Sequence, residues 1–427
     1  MNGFARASLL GVLALAAGAA SAEQKTPQQM VTGPVATYWM SAETSSGISM
    51  GAMGGGAGGR PGGGRPSMGA MMGMMMGGGG LGATHHMLRL QLGSSLDSRD
   101  PQAEHQPPAG LGVGASLPLV TPHVQPGEPA PESSPGPEQY QRQKPHGRML
   151  IFWGCGEHAR PGQPFVIDFA KMGDNPAGMA QAFSAFKGLQ AGVMHPPSPH
   201  DGGTYGEWPN ERDQMTVPAE GSLAGEHSVQ GNYTPDIRFA LSPQQDFLAP
   251  LTLTTNAPTG SGAVQLAWNP IPGAQAYVAS VIGGGQDTVV MWISSESQAA
   301  AMAVPDYLSN ADQRRMVESG QLMGAQTTSC LVPAEVAQAA PHALVSMTAY
   351  GAEANFSDPP RPANPKTPWN IAWTVKARYR ATTGGLLGQP MPGAGERPDA
   401  EEQRGDPSDH QQRPSLLQGL GGFIPHP

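Results

Sequence analysis

Apolar and polar residues alternate along several short stretches of the chain. His86-Met87-Leu88-Arg89-Leu90-Gln91-Leu92 has the period-two pattern of a half-buried strand and stops at Gly93-Ser94-Ser95. Arg148–Trp153 and Pro164–Phe169 read as two more strands, with Gly154, Gly156 and Arg160-Pro161-Gly162 punctuating the connection. Pro176 follows Asp174-Asn175 as at a helix start, and Met179, Phe183, Phe186 and Leu189 then recur at helical spacing. Strands are also predicted at Ser116–Val120, His227–Tyr233 and Asp236–Leu241. Further along come Gly262–Trp268, Ala276–Val281, Thr288–Ser294, Ala343–Gly351 and Trp369–Ala381, with helical pieces at Pro305–Gly320 and Pro333–Ala340. The fold class predicted is mainly β with a few short helices: one or two small β-sandwich-like modules plus long disordered segments.

Within residues 257–357 one pattern is more specific. A strand ends in Trp268, Asn269–Gly273 makes a short connection, and the next strand carries Tyr277, Ala279 and Val281 on one face. This stretch resembles the start of a fibronectin type III module, and Ala343–Gly351 with Asn355-Phe356-Ser357 resembles its late hairpin. The resemblance implies a β-sandwich; the helical stretch 305–320 would be an insertion into it.

Composition limits how much of the chain can fold. Glycine and proline number 59 and 44 of 427 residues, against a usual combined share of about 12%. Stretches so poor in apolar side chains lack the burial needed to offset the entropy of ordering. From Met50 to Gly82 the chain is almost only glycine and methionine, and 97–147 is rich in proline and glutamine. The layout expected is a signal peptide at 1–22, a flexible Gly/Met-rich tract at 23–83 and a lone strand within 84–96. A proline-rich linker at 97–147 leads to a β-rich module at 148–250 and a sandwich with a helical insertion at 257–382, before a disordered tail at 383–427.

The first 22 residues combine Arg6, an apolar run from Ser8 to Ala20, and Ala20-Ser21-Ala22. That is the three-part form of a cleavable secretory signal, which places the protein in the periplasm, the cell envelope or the extracellular space. The apolar run is shorter than the roughly 20 residues of a membrane span, and no later stretch is apolar enough to cross. With its signal, Gly/Met tract and Phe-Trp-Gly-Cys-Gly-Glu phrase, the chain resembles exported bacterial proteins of unassigned activity. Formal charge is −9, and loss of Arg6 makes it −10. There is no basic stripe, which argues against a nucleic-acid partner. Cys155 and Cys330, the two cysteines, fit an oxidising compartment and a single disulfide.

Candidate chemistry is sparse. Met68, Met71, Met72, Met74, Met75 and Met76 cluster ahead of His85, His86 and Met87. Thioethers favour Cu(I) and imidazole also suits copper, so Cu(I) is the cofactor this stretch suggests; the alternative is a low-complexity tract without a ligand. Cys155-Gly156-Glu157-His158 brings a thiol, a carboxylate and an imidazole together, yet neighbours on a strand end do not face one another, and a disulfide would remove the nucleophile. A metal set of Glu157, His158, His195 and His200 would need a long loop to fold back. Gly47-Ile48-Ser49-Met50-Gly51 and Gly110-Leu111-Gly112-Val113-Gly114-Ala115 mimic a nucleophile elbow and a dinucleotide turn, but neither has the flanking strand and helix required. Tyr205 and Trp208, near Asn210, form a candidate binding loop for sugars or peptides. A non-enzymatic binding or structural role towards a protein or an envelope polymer follows as the leading reading, with copper handling second. An exported enzyme comes third, without a catalytic constellation.

Overall fold

The computed structural model describes residues 29–47, 84–122, 147–169, 194–285, 287–298 and 304–389. The signal sequence, the helix expected after Pro176, the six clustered methionines, most of the proline-rich span and the tail beyond 389 lie outside them.

In spatial order the large sheet runs β7 (Phe165–Asp168), β6 (Arg148–Trp153), β14 (Thr288–Ile293), β13 (Ala274–Gly285), β17 (Leu344–Gly351), β20 (Trp373–Leu386), β2 (Ala36–Ser45), β3 (His85–Ser94) and β8 (Thr204–Trp208). In its inner strands, such as β2, β17 and β20, side chains of both faces are largely covered, whereas β6, β7, β14 and the start of β3 keep exposed positions. Two short strands, β15 (Met323–Gly324) and β18 (Ala354–Asp358), join it at β13 and β20. A four-stranded sheet runs β10 (Ile237–Leu241), β9 (Gly225–Gly231), β4 (Ala103–Gln106), β5 (Leu117–Leu119). A three-stranded one runs β11 (Leu253–Pro258), β12 (Val264–Trp268), β16 (Ser329–Val332), and β1 (Val31–Thr32) pairs with β19 (Trp369–Asn370). Two helices, α1 (Asn310–Glu318) and α2 (Ala334–Ala339), and a 3-10 turn at Ala109–Leu111 complete the described elements.

Strand β20 explains the layering. Its positions Trp373, Val375, Ala377 and Tyr379 enter a core with Tyr38, Met40, Leu90, Leu92, Val229 and Phe239, beneath the four-stranded sheet. Two residues further on the same face, Ala381 enters a second core with Leu266, Trp268, Tyr277, Val345 and Val332, beneath the three-stranded sheet. Alternation sends every second side chain to one face, so both small sheets cover the same face of the large one. A third core lies on the opposite face at the β6–β13–β14 end, where Met316 of α1 packs with Ile151, Ile167, Val278 and Ile293.

The mainly β class agrees with the sequence reading, and the division into modules is corrected. Strand β6 pairs in parallel with β14 over six positions, and β2 pairs in parallel with β20 over ten. Residues 148–250 and 257–382 therefore share one sheet, and the N-terminal strand β2 lies inside it, between β20 and β3. The flexible tract expected at 23–83 contains β2, with Tyr38, Met40 and Ala42 on one face and Trp39, Ser41 and Glu43 on the other, all buried; Trp39 is the position that interrupts its alternation. The expected linker 97–147 contributes β4 and β5, with His105, Leu117 and Leu119 buried. The tail begins later than residue 383, because β20 runs on to Leu386. Helices α1 and α2 fall inside the two stretches read as helical.

Candidate functional site: the buried polar face of the central strands

From 374 to 382 the even positions of β20 are Thr374, Lys376, Arg378, Arg380 and Thr382. On an open sheet such a face would meet water. Here Arg378 is 2% exposed and Trp39, on the neighbouring strand, is also 2% exposed. The guanidinium carbon of Arg378 lies 4.2 Å from the centre of the Trp39 ring, a cation–π contact in a desolvated setting. Its Nε donates to the Glu353 carboxylate. Lys376 Nζ donates to Asn355 Oδ1 at 2.7 Å and lies 3.3 Å from Glu353.

One step along the strand, Arg380 donates to Glu43 at 2.7 Å and reaches Asp306 at 2.7 Å. Its guanidinium sits 4.6 Å from the Tyr307 ring, and Thr382 Oγ1 donates to Glu43 Oε1 at 2.6 Å. Towards the β8 edge, Arg89 donates to Glu207 at 2.8 Å, as does the Tyr205 hydroxyl at 2.8 Å. Gln91 Nε2 donates to the Tyr205 oxygen at 3.1 Å and to the Pro197 carbonyl at 3.1 Å. Burial pushes the Tyr205, Tyr307 and Tyr350 phenols well above their ordinary range, so each stays neutral and able to donate. Two donors on this face have no acceptor: Trp39 Nε1 and Arg378 Nη2.

Comparison with protein-family models, with curated proteins and with solved structures finds no match. The polar face therefore has to be understood from its own chemistry.

The residues singled out in the sequence fall in different places. Cys155 and Cys330 form a disulfide, with Cα atoms 5.5 Å apart, joining the loop after β6 to strand β16. Cys155 is thereby removed as a nucleophile. His158 faces Glu335 at 3.2 Å rather than the sulfur. Glu335 also accepts the Ala159 backbone N–H at 2.8 Å, which holds its carboxyl below the usual range. Among the described residues no three His, Cys, Asp or Glu side chains gather as a metal set, so Glu157, His158, His195 and His200 are not brought together.

At the start of β3, alternation places His85 and Met87 on one face and His86 on the other. There the His86 ring stacks on Phe247 at 4.0 Å, and burial lowers its pKa. Tyr205 and Trp208, read as an open binding loop, belong to the edge strand β8 and are buried. Trp208 is in the first core, and only Tyr205 joins the polar face. The loop reading arose because β8 has only five residues between proline- and glycine-rich flanks.

Trp39, Glu43, Glu353 and Arg378 were missed. The legible signal was the cation at every second position of β20, from Lys376 to Arg380, on a strand whose other face is Trp373, Val375, Ala377, Tyr379 and Ala381 along the same stretch.

Proposed function

We propose that the chain is an exported, non-enzymatic binding protein of the periplasm, envelope or extracellular space, and that it binds through the polar face of the large sheet. The observation that carries this reading is the pair of buried donors without acceptors, Trp39 Nε1 and Arg378 Nη2, inside a face whose other charges are matched. Buried polar groups in folded proteins almost always have partners, and an exception calls for a bound species or water. The signal-like N-terminus and the disulfide support the exported part of the reading.

Two measurements test it. N-terminal sequencing of the exported protein is expected to start at Glu23, with no free thiol under denaturing, non-reducing conditions. Native mass spectrometry of protein gently recovered from its own compartment is expected to show a bound species that Arg378→Lys loses. Bare polypeptide in every preparation, or turnover of a substrate at this face, would contradict the proposal.

A second reading, soft-metal handling, is favoured by one placement. His85 and Met87 share a face at the point where β3 begins, directly after the methionine-rich stretch. Stoichiometric Cu(I) uptake that disappears on deleting residues 50–87 would support it, and uptake unchanged by the deletion would remove it.

A further inference from the structure

The unpartnered donors have neighbours that narrow what can satisfy them. Arg378 is held on two sides: its face lies on the Trp39 ring and its Nε edge is committed to Glu353. Nη1 has only long contacts, 3.5 Å to the Met194 carbonyl and 3.4 Å to the Tyr307 carbonyl. Nη2 has none, and Nε1 of the indole on which the guanidinium stacks has none. Indole is a donor only, and guanidinium carries donors and no acceptor. What they lack is an acceptor.

Ser41 lies directly across the ladder from Arg378 and on the same strand face as Trp39, adding a hydroxyl to this corner. The carboxylates nearby are already engaged. Glu353 receives Arg378 and Lys376, and Glu43 receives Arg380 and Thr382.

The charges of this face are paired. Arg89 and Glu207 pair with each other. The remaining cations of this face among the described residues are Lys376, Arg378 and Arg380, with side chains 16%, 2% and 15% exposed. The carboxylates buried with them are Glu353 and Glu43, while Asp306 is 80% exposed and shares its charge with solvent. Three cations thus meet three carboxylates, and of these six only Arg378, Glu353 and Glu43 are buried; what this corner lacks is an acceptor for its two buried donors.

We infer that Trp39 and Arg378 are the fixed donors of a site for a small oxyanion, taken either as an organic carboxylate or as an inorganic ion such as phosphate. Planar, forked guanidinium donors suit either anion, and the stacked indole keeps the fork from turning away. The inference rests on the binding reading above and names the ligand class for that site.

Calorimetric titration of the full mature protein with sodium acetate and, separately, inorganic phosphate tests it, at constant ionic strength against a chloride control. Saturable one-to-one binding of at least one is expected in the millimolar range or tighter. Acetate binding alone identifies a carboxylate site and phosphate binding alone an inorganic-anion site. Trp39→Phe keeps the ring under Arg378 and removes the donor, so it is expected to weaken binding on the order of tenfold, the worth of one hydrogen bond. Arg378→Lys keeps the charge, loses the fork and is expected to weaken it further. Equal affinity in Trp39→Phe would overturn the inference, because the anion would then bind elsewhere. Absence of saturable binding of either anion would overturn it too. If native mass spectrometry still finds a neutral species bound through Arg378, the oxyanion class falls and the binding reading stands. If the polypeptide is bare as well, both fall.

Discussion

Three hydrogen bonds run in series through the first core. Tyr38 Oη lies 2.9 Å from His105 Nδ1, His105 Nε2 lies 3.2 Å from His227 Nδ1, and His227 Nε2 lies 2.7 Å from the Leu223 carbonyl. The carbonyl can only accept, so His227 carries its proton on Nε2. With both rings neutral, His105 must then donate from Nε2 and Tyr38 must donate to Nδ1. One arrangement satisfies every atom, and a second proton on either ring breaks it. Burial lowers the pKa of both histidines; for His105 the neighbouring His227 lowers it further, whereas for His227 the Leu223 carbonyl and Asp246 oppose the shift.

Both folded-state pKa values therefore lie below the unfolded one of about 6.5. Their contribution to stability is complete above that pH and is lost as pH falls through the folded values. The loss has a slope of up to about 1.4 kcal/mol per unit for each ring. Urea unfolding midpoints are expected to drop between about pH 7 and pH 5; a midpoint that rises over this range would contradict the assignment. Tyr38→Phe leaves His105 Nδ1 buried without a donor and is expected to cost about 1–3 kcal/mol. On the polar face, Glu353→Gln strips the buried Arg378 of its counter-charge and is expected to cost about 3–5 kcal/mol, read from the same midpoints. None of these partners was legible beforehand. His105 sits in a span read as linker, His227 looks like one polar position of a half-buried strand, and nothing local links either to Tyr38.

Strands β2 and β3 pair in register from Ala36↔Ser94 to Ser45↔His85. The Gly/Met-rich stretch is thus the connection of a hairpin, tied at both ends to the central sheet, where the sequence suggested a free tether. Both ends are held on adjacent strands, which lie about 5 Å apart. Closing a long flexible connection costs more entropy than closing a short one, by about 0.6 kcal/mol per doubling. Replacing residues 48–82 with a five-residue glycine–serine linker is expected to preserve the fold and raise unfolding stability by about 2 kcal/mol. A large loss in thermal melting would show that the stretch contributes packing of its own.

Strands β3, β6, β12, β13, β14 and β17 could be read from alternation because local apolar residues recur on one of their faces. Strand β2 could not. Its apolar face is Ala36, Tyr38, Met40 and Ala42, but Trp39 on the other, also buried face breaks the alternation into the run Tyr-Trp-Met, and the strand stands next to the glycine-rich stretch. Pairing over such distances is decided by partners hundreds of residues away, as with β2 and β20.

A single sheet contributes to all three cores of the described residues, and the disulfide ties its β6 end to the three-stranded sheet across 175 residues of chain. In the chain-entropy view, a loop of that length corresponds to about 5 kcal/mol of stabilisation. Reduction is expected to lower the denaturant midpoint accordingly, and an unchanged midpoint would mean that the reduced, unfolded chain is already restricted. The cysteine pairing was legible because the chain has only two, and such a bond requires residues 148–250 and 257–382 to pack together; that they would share one sheet was not, since the proline-rich spans looked like boundaries. The binding reading depends on this unity. The polar face takes Trp39 and Glu43 from β2 and Arg378 and Arg380 from β20, and β20 continues into the second core.

Scanning calorimetry of the mature, oxidised protein tests that dependence most directly. One transition is expected, with calorimetric and van't Hoff enthalpies equal and its midpoint lowered by acid, as a shared sheet requires. Two resolved transitions, with only the first sensitive to acid, would contradict it and return the molecule to two independent modules.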